Sequence, residues 1–249
     1  MARKKIAALH ALLILSFALS GCISENNKSN YSSDDSSPGV PEYFEDGIFT
    51  CLDHDNMTRC WQTHIPENLD PTTSVPLIVD MHGFGSDSTE QKHMSAFDTI
   101  ADDEGLIVVY PDGDSSVDKL TGNINQAWNA GWCCSHSVNE DIDDVGFIEK
   151  MIEVVIEKYN IDTNRIYASG WSNGCAMSQR LAMESSHIFA AVGCMSMYLL
   201  TEHTANYSPI PIMEVHGFLD QVVLYESTVL SVPWNKEMWK NPEAYDTGA

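Results

Sequence analysis

Short, nearly continuous apolar runs alternate along this chain with longer stretches in which apolar residues recur every three or four positions. The runs at 75–82 and 106–110 are typical of strands that are covered on both faces of a sheet. Further apolar runs follow at 189–196 and 211–216. Because such strands alternate with helical segments, the pattern predicts a mostly parallel sheet with right-handed crossovers, and therefore an α/β fold.

Two segments have the spacing of amphipathic helices. Residues 86–102 form the first, with Asp87 or Ser88 as its N-cap. The second is residues 143–159, whose apolar positions keep helical spacing and therefore predict one face in the core. Residues 48–51 and 59–65 are predicted to open the fold as an antiparallel pair, and residues 114–139 are expected to be irregular.

One strand–turn–helix segment carries the clearest chemical signal. Residues 170–174 read Gly-Trp-Ser-Asn-Gly, the G-x-S-x-G pattern of a nucleophile elbow, in which a sharp turn exposes the serine. Gly170 and Gly174 would remove the Cβ clashes of that turn. The segment therefore predicts Ser172 as a nucleophile, and an idle serine in a glycine-rich turn is the alternative.

Two other loops at predicted strand ends offer the groups that an acyl-transfer site needs beside its nucleophile. The glycines of the His-Gly-Phe-Gly sequence at 82–85 permit amides to point inward, which predicts an oxyanion hole made by the amides of Phe84 and Asn173. His82 is expected to shape this loop rather than to act as the base. Asp220 follows the last apolar strand and is the predicted triad acid. Glu214 is a weaker candidate, and a turn-forming role is the alternative for Asp220.

Five ordered segments together resemble the secreted α/β-hydrolase esterases, most closely the polyhydroxybutyrate depolymerase, feruloyl esterase and acetylxylan esterase group. They are residues 81–85, 128–134, 143–147, 170–174 and 215–220. The resemblance implies an α/β-hydrolase fold with helices on both faces of a mostly parallel central sheet. It also implies a serine esterase without a cofactor, in which Ser172, Asp220 and the Phe84 amide act on an ester. Trp128 and Trp132 would line the acyl site, and core packing is their alternative.

The chain departs from that family where the triad base belongs, because no histidine follows Asp220. We therefore expect residues 47–249 to be an esterase domain truncated before its C-terminal helix, strand and histidine, with an uncovered sheet edge near Met213. A folded relative that has lost its base is the alternative. A serine peptidase of the same fold and a non-catalytic surface lipoprotein that binds polymer or glycan are the competing functional hypotheses.

The N-terminus has the pattern of a targeting segment. Residues 3–5 are basic, residues 6–19 are mostly apolar, and Leu-Ser-Gly-Cys at 19–22 resembles a bacterial lipobox. This predicts a signal peptide at 1–21, lipidation of Cys22 and a flexible linker at 22–46. The predicted location is the cell envelope outside the cytoplasm, membrane-anchored or secreted, and an ordinary secretory signal is the alternative.

Composition adds two restrictions. A formal net charge of −23 excludes nucleic acid and an anionic membrane surface as electrostatic partners. The spacing of cysteines and histidines contains no pattern typical of a metal site, and the acidic cluster at 140–144 is expected to cap a helix rather than to bind calcium. The sequence leaves the particular ester and the oligomeric state open.

The seven cysteines predict disulfides, since such bonds persist outside the cytoplasm. Cys51 and Cys60 bracket a polar turn between two strand-like segments and are the predicted pair. The neighbours Cys133 and Cys134 are expected to need more distant partners. Cys175 and Cys194 lie in core-like positions and are expected to be small buried apolar residues.

Overall fold

The structure, a computed structural model, describes residues 40–117, 124–131, 133–201, 204–205 and 207–225. The predicted signal peptide, Cys22 and Trp132 lie outside these residues. The strands are β1 (Tyr43–Asp46), β2 (Phe49–His54), β3 (Met57–His64), β4 (Val75–Met81), β5 (Ile107–Pro111), β6 (Asp114–Val117), β7 (Ile124–Ala127), β8 (Ile161–Trp171), β9 (Ala191–Met195) and β10 (Ile212–Val215). The helices are α1 (Ser88–Ser95), α2 (Phe97–Glu104), α3 (Ser135–Asn139), α4 (Asp144–Lys158) and α5 (Asn173–Glu184).

Eight strands form one mixed sheet in the order β1-β2-β3-β5-β4-β8-β9-β10. The first strands are antiparallel, whereas β5, β4, β8, β9 and β10 are parallel to one another. Parallel strands bring their carboxyl ends to one edge of a sheet, where ligands bind in open α/β folds. The predicted α/β-hydrolase fold is confirmed, and its order places the ends of β4, β8, β9 and β10 side by side.

The central strands and the helices share one apolar core. Its fully buried members include Leu77 and Val79 of β4, Ile107 of β5 and Phe147 and Met151 of α4. The buried positions of α4 recur at helical spacing, as predicted. Among the described residues no helix combines the length and the apolar character needed to cross a bilayer.

Three boundaries differ from the sequence prediction. The helix expected over residues 86–102 is two helices, because Ala96 between them has φ = 52°, which an α-helix cannot continue. Residues 43–46, which the prediction assigned to the linker, form β1, and β1 pairs with β2 through a turn at Gly47. The stretch expected to be irregular contains the β6–β7 hairpin and α3.

All six cysteines in the described residues are paired. Cys51 and Cys60 face each other in the register of β2 and β3 and form a disulfide. The other two pairs, Cys133–Cys134 and Cys175–Cys194, correct the sequence expectations. Cys133 and Cys134 were expected to need more distant partners because they are adjacent in sequence, but they pair with each other. Cys175 and Cys194 are buried as expected, but they come from neighbouring elements that the fold brings together.

Candidate active site

Ser172 lies at the junction of β8 and α5, with φ = 53° and ψ = −119°. Such a backbone conformation is costly for a residue with a side chain, and it persists only where the surroundings enforce it. Close contacts between backbone atoms enforce this conformation of Ser172. A Cβ atom on Gly170 would lie 2.5 Å from the carbonyl of Gly174, and one on Gly174 would overlap the carbonyl oxygen of Met81. The strand, sharp turn and helix predicted for residues 170–174 are therefore present.

The hydroxyl of Ser172 is partly exposed and has no hydrogen-bond partner within the described part of the chain. Its amide donates to the carbonyl oxygen of Met195 at the end of β9, over 2.9 Å. Asn173 is the first residue of α5, so its amide belongs to the first turn, which has no carbonyl acceptor within the helix. An amide in this position can donate to an oxyanion beside Ser172.

The loop after β4 packs directly on this elbow. A Cβ atom on Gly83 would lie 2.9 Å from the ring of Trp171, the residue before Ser172. The amide of Ser86 donates to the carbonyl of Gly83 over 3.2 Å and closes a turn with Phe84 and Gly85 at its centre. The two loops predicted to supply the oxyanion hole are therefore in contact.

His82 is a buried, neutral scaffold residue. Its Nε2 accepts a hydrogen bond from the amide of Gly113 (2.9 Å), so the ring proton is on Nδ1, which donates to the carbonyl of Gly83 (2.8 Å). Burial lowers the pKa of His82 to about 4. With both ring nitrogens occupied, His82 shapes the loop as predicted.

The side chain of Asn173 has a role that the sequence did not reveal. It accepts from the amide of Trp128 (2.8 Å) and donates to the carbonyl of the same residue (3.1 Å), which attaches the loop after β7 to the elbow. The Trp128 ring is fully buried, and its Nε1 donates to the carbonyl of His82 over 3.0 Å. We therefore assign Trp128 to the scaffold, which is the core-packing alternative to a place in the acyl site.

A buried ion pair holds the same loop from the other side. Nη2 of Arg59, a residue of β3, lies 2.6 Å from Oδ1 of Asp144, and both side chains are almost fully buried. The second oxygen of Asp144 accepts from the amide of Asn129 (2.6 Å). Burial raises the pKa of Asp144, an effect that the charge of Arg59 opposes. Asp143 caps α4 as expected, whereas Asp144 is part of this ion pair.

The predicted acid, Asp220, lies in the loop after β10. Its Oδ1 accepts from the amides of Val222 (2.8 Å) and Val223 (3.0 Å), and its Oδ2 lies 3.6 Å from Nε2 of His216. Asp220 therefore also has the turn-forming role that was its alternative. The β9 and β10 ends are joined where the amide of Ser196 donates to the carbonyl of Val215 (3.0 Å).

His216 is the centre of the contacts around this acid loop. Its side chain is 1% exposed, and its Nε2 donates to the carbonyl of Val223 over 2.7 Å. Its Nδ1 lies 3.2 Å from a carboxylate oxygen of Glu214, and its ring stacks on Tyr198 at 4.9 Å. His216 precedes Asp220 in the sequence, and no local sequence pattern indicates these contacts.

Three exposed apolar side chains form a row beside the nucleophile. Trp171, Met195 and Val215 are in register across β8, β9 and β10, and they are 38%, 49% and 54% exposed. Phe218, which is 67% exposed, follows in the next loop. This apolar row (Trp171, Met195 and Val215) lies at the same sheet edge as Ser172 and could contact an apolar part of a ligand.

One cluster among the described residues has the ligand types of a metal site: His54, Asp55 and Asp143. Both nitrogens of His54 have partners other than these carboxylates, because Lys150 donates to Nδ1 (2.9 Å) and Nε2 lies 3.0 Å from the backbone carbonyl oxygen of Asp143. We therefore assign no metal to this cluster.

Known proteins resemble the chain in sequence and in fold. A bifunctional acetylxylan esterase/xylanase from Neocallimastix patriciarum is 27% identical over 184 residues, which cover 74% of this chain and 25% of that protein. Feruloyl esterase B from Piromyces equi is 28% identical over 176 residues, which cover 69% of this chain and 31% of that protein. The chain thus spans about a third or less of the length of these curated relatives.

Among solved structures, the acetyl xylan esterase from Aspergillus awamori has a TM-score of 0.51 and 17% identity, with 77% of each chain covered. At that identity the likeness shows the fold alone. The model of the phospholipase/carboxylesterase family matches residues 65–247, which is most of the chain, and the chain therefore belongs to this family of α/β hydrolases.

Proposed function

We propose that this protein is a serine hydrolase that cleaves carboxylic esters through an acyl-enzyme on Ser172. The observation that carries the proposal is the positive φ of a partly exposed serine, held between β8 and α5 by backbone contacts to the β4 loop. Strained residues persist where the fold enforces them, and they cluster at active sites. Membership of the phospholipase/carboxylesterase family supports the same reaction class.

In this proposal each loop at the sheet edge has one role. The oxygen of Ser172 attacks the ester carbonyl while a general base takes its proton, and the amides of Asn173 and Phe84 donate to the oxyanion that develops. The oxyanion collapses, the ester C–O bond breaks, and the base returns the proton to the departing alcohol while Asp220 orients it. Water, activated by the same base, then hydrolyses the acyl-enzyme and releases the acid. None of the described histidines contacts the Ser172 hydroxyl, so the experiment supplies imidazole as an external base.

The substrate class that we propose is a polyester or a polysaccharide-linked acyl ester. Relatives named feruloyl esterase and acetylxylan esterase support an acyl group carried on a polymer. The apolar row beside Ser172 supports an ester with an apolar acyl or backbone portion. We further propose that residues 1–21 direct the chain out of the cytoplasm, that Cys22 is lipidated, and that the esterase domain follows the linker.

The experiment compares the chain with its Ser172→Ala variant in the presence of imidazole, which can act as an external base. We expect a fluorophosphonate probe to label the wild type only. We also expect the wild type to hydrolyse 4-nitrophenyl acetate and methyl ferulate faster than the Ala variant does. The Ala variant corrects for hydrolysis by imidazole itself. Equal labelling of both proteins would refute a nucleophilic Ser172.

Two outcomes of the same assay would favour the competing hypotheses. Faster cleavage of a peptide anilide than of the esters would indicate a peptidase of the same fold. Binding of xylan or polyester particles by an unlabelled wild type would indicate a non-catalytic binding protein.

A further inference from the structure

The Cys175–Cys194 disulfide lies directly beneath the nucleophile elbow. Cys175 is in the first turn of α5, three residues after Ser172. Cys194 precedes Met195, whose carbonyl accepts the amide hydrogen of Ser172 over 2.9 Å. The start of the helix is therefore attached to β9 twice, once by a covalent bond and once by the nucleophile's own amide.

The surroundings of this disulfide are closely packed. Cys175 is 0% exposed and Cys194 is 5% exposed. The side-chain amide of Gln179, one turn further along α5, donates to the carbonyl of Met197 over 2.8 Å and lies 3.3 Å from the Cys175 sulfur. Cys194 is also in register with Gly170, the first glycine of the elbow. The disulfide thus connects the helix side of the turn that carries Ser172 to β9, the strand paired with the other side of that turn.

We propose that the Cys175–Cys194 disulfide is a positioning element for the nucleophile, an inference that rests on the proposed function. Ser172 has a backbone conformation that relaxes if the first turn of α5 shifts away from β9. The disulfide opposes that shift. A displacement of about 1 Å in a reacting group can lower a rate by about 10²-fold, so the bond acts on the rate as well as on stability.

Cys51–Cys60 provides a matched control. It joins two neighbouring strands of the sheet, and Cys51 is 1% exposed, so its removal also lowers stability. It lies on β2 and β3, however, and neither strand neighbours β8 in the sheet. A purely structural role for Cys175–Cys194 predicts that the two pairs behave alike.

The experiment compares Cys175→Ser/Cys194→Ser with Cys51→Ser/Cys60→Ser, each at a temperature where circular dichroism shows it folded. The readouts are the rate constant of fluorophosphonate labelling and kcat for 4-nitrophenyl acetate, with imidazole added throughout. We expect the Cys175/Cys194 variant to lose about 10- to 100-fold in both, and the control to stay within about twofold of the wild type. If Cys175→Ser/Cys194→Ser does not fold, Cys175→Ala/Cys194→Val replaces it in the experiment, because its side chains keep the site apolar.

The outcomes separate the two proposals. If the wild type is labelled and both double variants react at its rate, or lose equally, the positioning role is overturned and the proposed function stands. If the wild type is labelled no better than Ser172→Ala, the proposed function fails and the inference fails with it. Free thiols at Cys175 and Cys194 in peptide mass mapping of the active protein would also overturn the inference.

Discussion

The two sides of the proposed site are built differently. On the nucleophile side, the first four residues of α5 are buried, and β8 pairs with a strand on each edge. On the acid side, Met213 of β10 is 64% exposed and Leu219 of the acid loop is 82% exposed. The nucleophile is thus fixed by many backbone contacts, whereas Asp220 is held by two amide hydrogen bonds and a contact with His216. Substitutions on the first side should therefore cost more stability.

The largest expected effect is that of Arg59→Met on the nucleophile side. It leaves the carboxylate of Asp144 buried without its partner, which should lower the free energy of unfolding by about 3–5 kcal/mol. Urea denaturation measures this loss. Arg165→Met removes an ion pair with Asp162 in which Arg165 is 45% exposed, and it should cost less than about 1 kcal/mol. Equal losses would show that burial of the Arg59–Asp144 pair does not determine its contribution to stability.

A second prediction uses one glycine from each side. Gly174→Ala places a Cβ atom against the carbonyl oxygens of Met81 and His82, which are backbone atoms that cannot rotate away. We expect a loss of about 3 kcal/mol in urea denaturation and no fluorophosphonate labelling. Gly217→Ala in the acid loop meets its nearest atoms only at 3.9 Å and should change stability by less than about 0.5 kcal/mol. A stable, labelled Gly174→Ala protein would show that the elbow is less constrained than we infer.

A third prediction concerns Asp80 of β4, two residues before His82. Its side chain is 1% exposed, and burial raises its pKa from 3.8 to about 6, partly offset by a hydrogen bond from Gln91. The folded protein therefore holds this proton more tightly than the unfolded chain does. This contribution to stability is present below pH 4 and is lost as the pH rises through about 6.

The difference between the wild type and Asp80→Asn isolates that contribution. Between pH 4 and pH 7, the free energy of unfolding of the variant should rise by about 2–3 kcal/mol relative to that of the wild type. Urea denaturation at each pH measures this difference. Asp162→Asn should behave in the opposite sense and only below about pH 4, because a hydrogen bond from Arg165 lowers the pKa of Asp162 from 3.8 and the resulting stability is lost as the pH falls. A pH-independent difference for Asp80→Asn would contradict the assignment.

The smallest expected effect is on the acid side. His216→Phe keeps a ring against Tyr198 but removes the hydrogen bond to the Val223 carbonyl, which should cost about 1–2 kcal/mol. Amide hydrogen exchange at Val222 and Val223, which donate to Asp220, should accelerate. His93→Phe on the exposed surface of α1 is the control and should leave those amides unchanged.

Sequence reasoning identified most of the fold and the elements that carry the candidate site. The apolar runs correspond to β4, β5, β9 and β10, and the helical spacing corresponds to α4. It predicted one helix where Ala96 separates two, because a left-handed residue other than glycine has no signature in the pattern. It also assigned residues 43–46 to the linker, whereas β1 is held by pairing with β2 and by packing of Tyr43 against the core.

The contacts between segments that are distant along the chain could not be predicted from the sequence. Local spacing suggested the Cys51–Cys60 pair, but nothing local indicated that Cys175 faces Cys194 or that Arg59 meets Asp144. The roles of the Asn173 side chain and of His216 likewise depend on partners from other elements.

The order of strands and helices along the chain and the sharp turn at Ser172 follow from local features, namely periodicity and glycines a few residues apart. Which buried polar groups and cysteines are partners depends instead on the fold. The physical reason is that such partners are selected by the order of strands in the sheet, which brings together residues that are far apart along the chain.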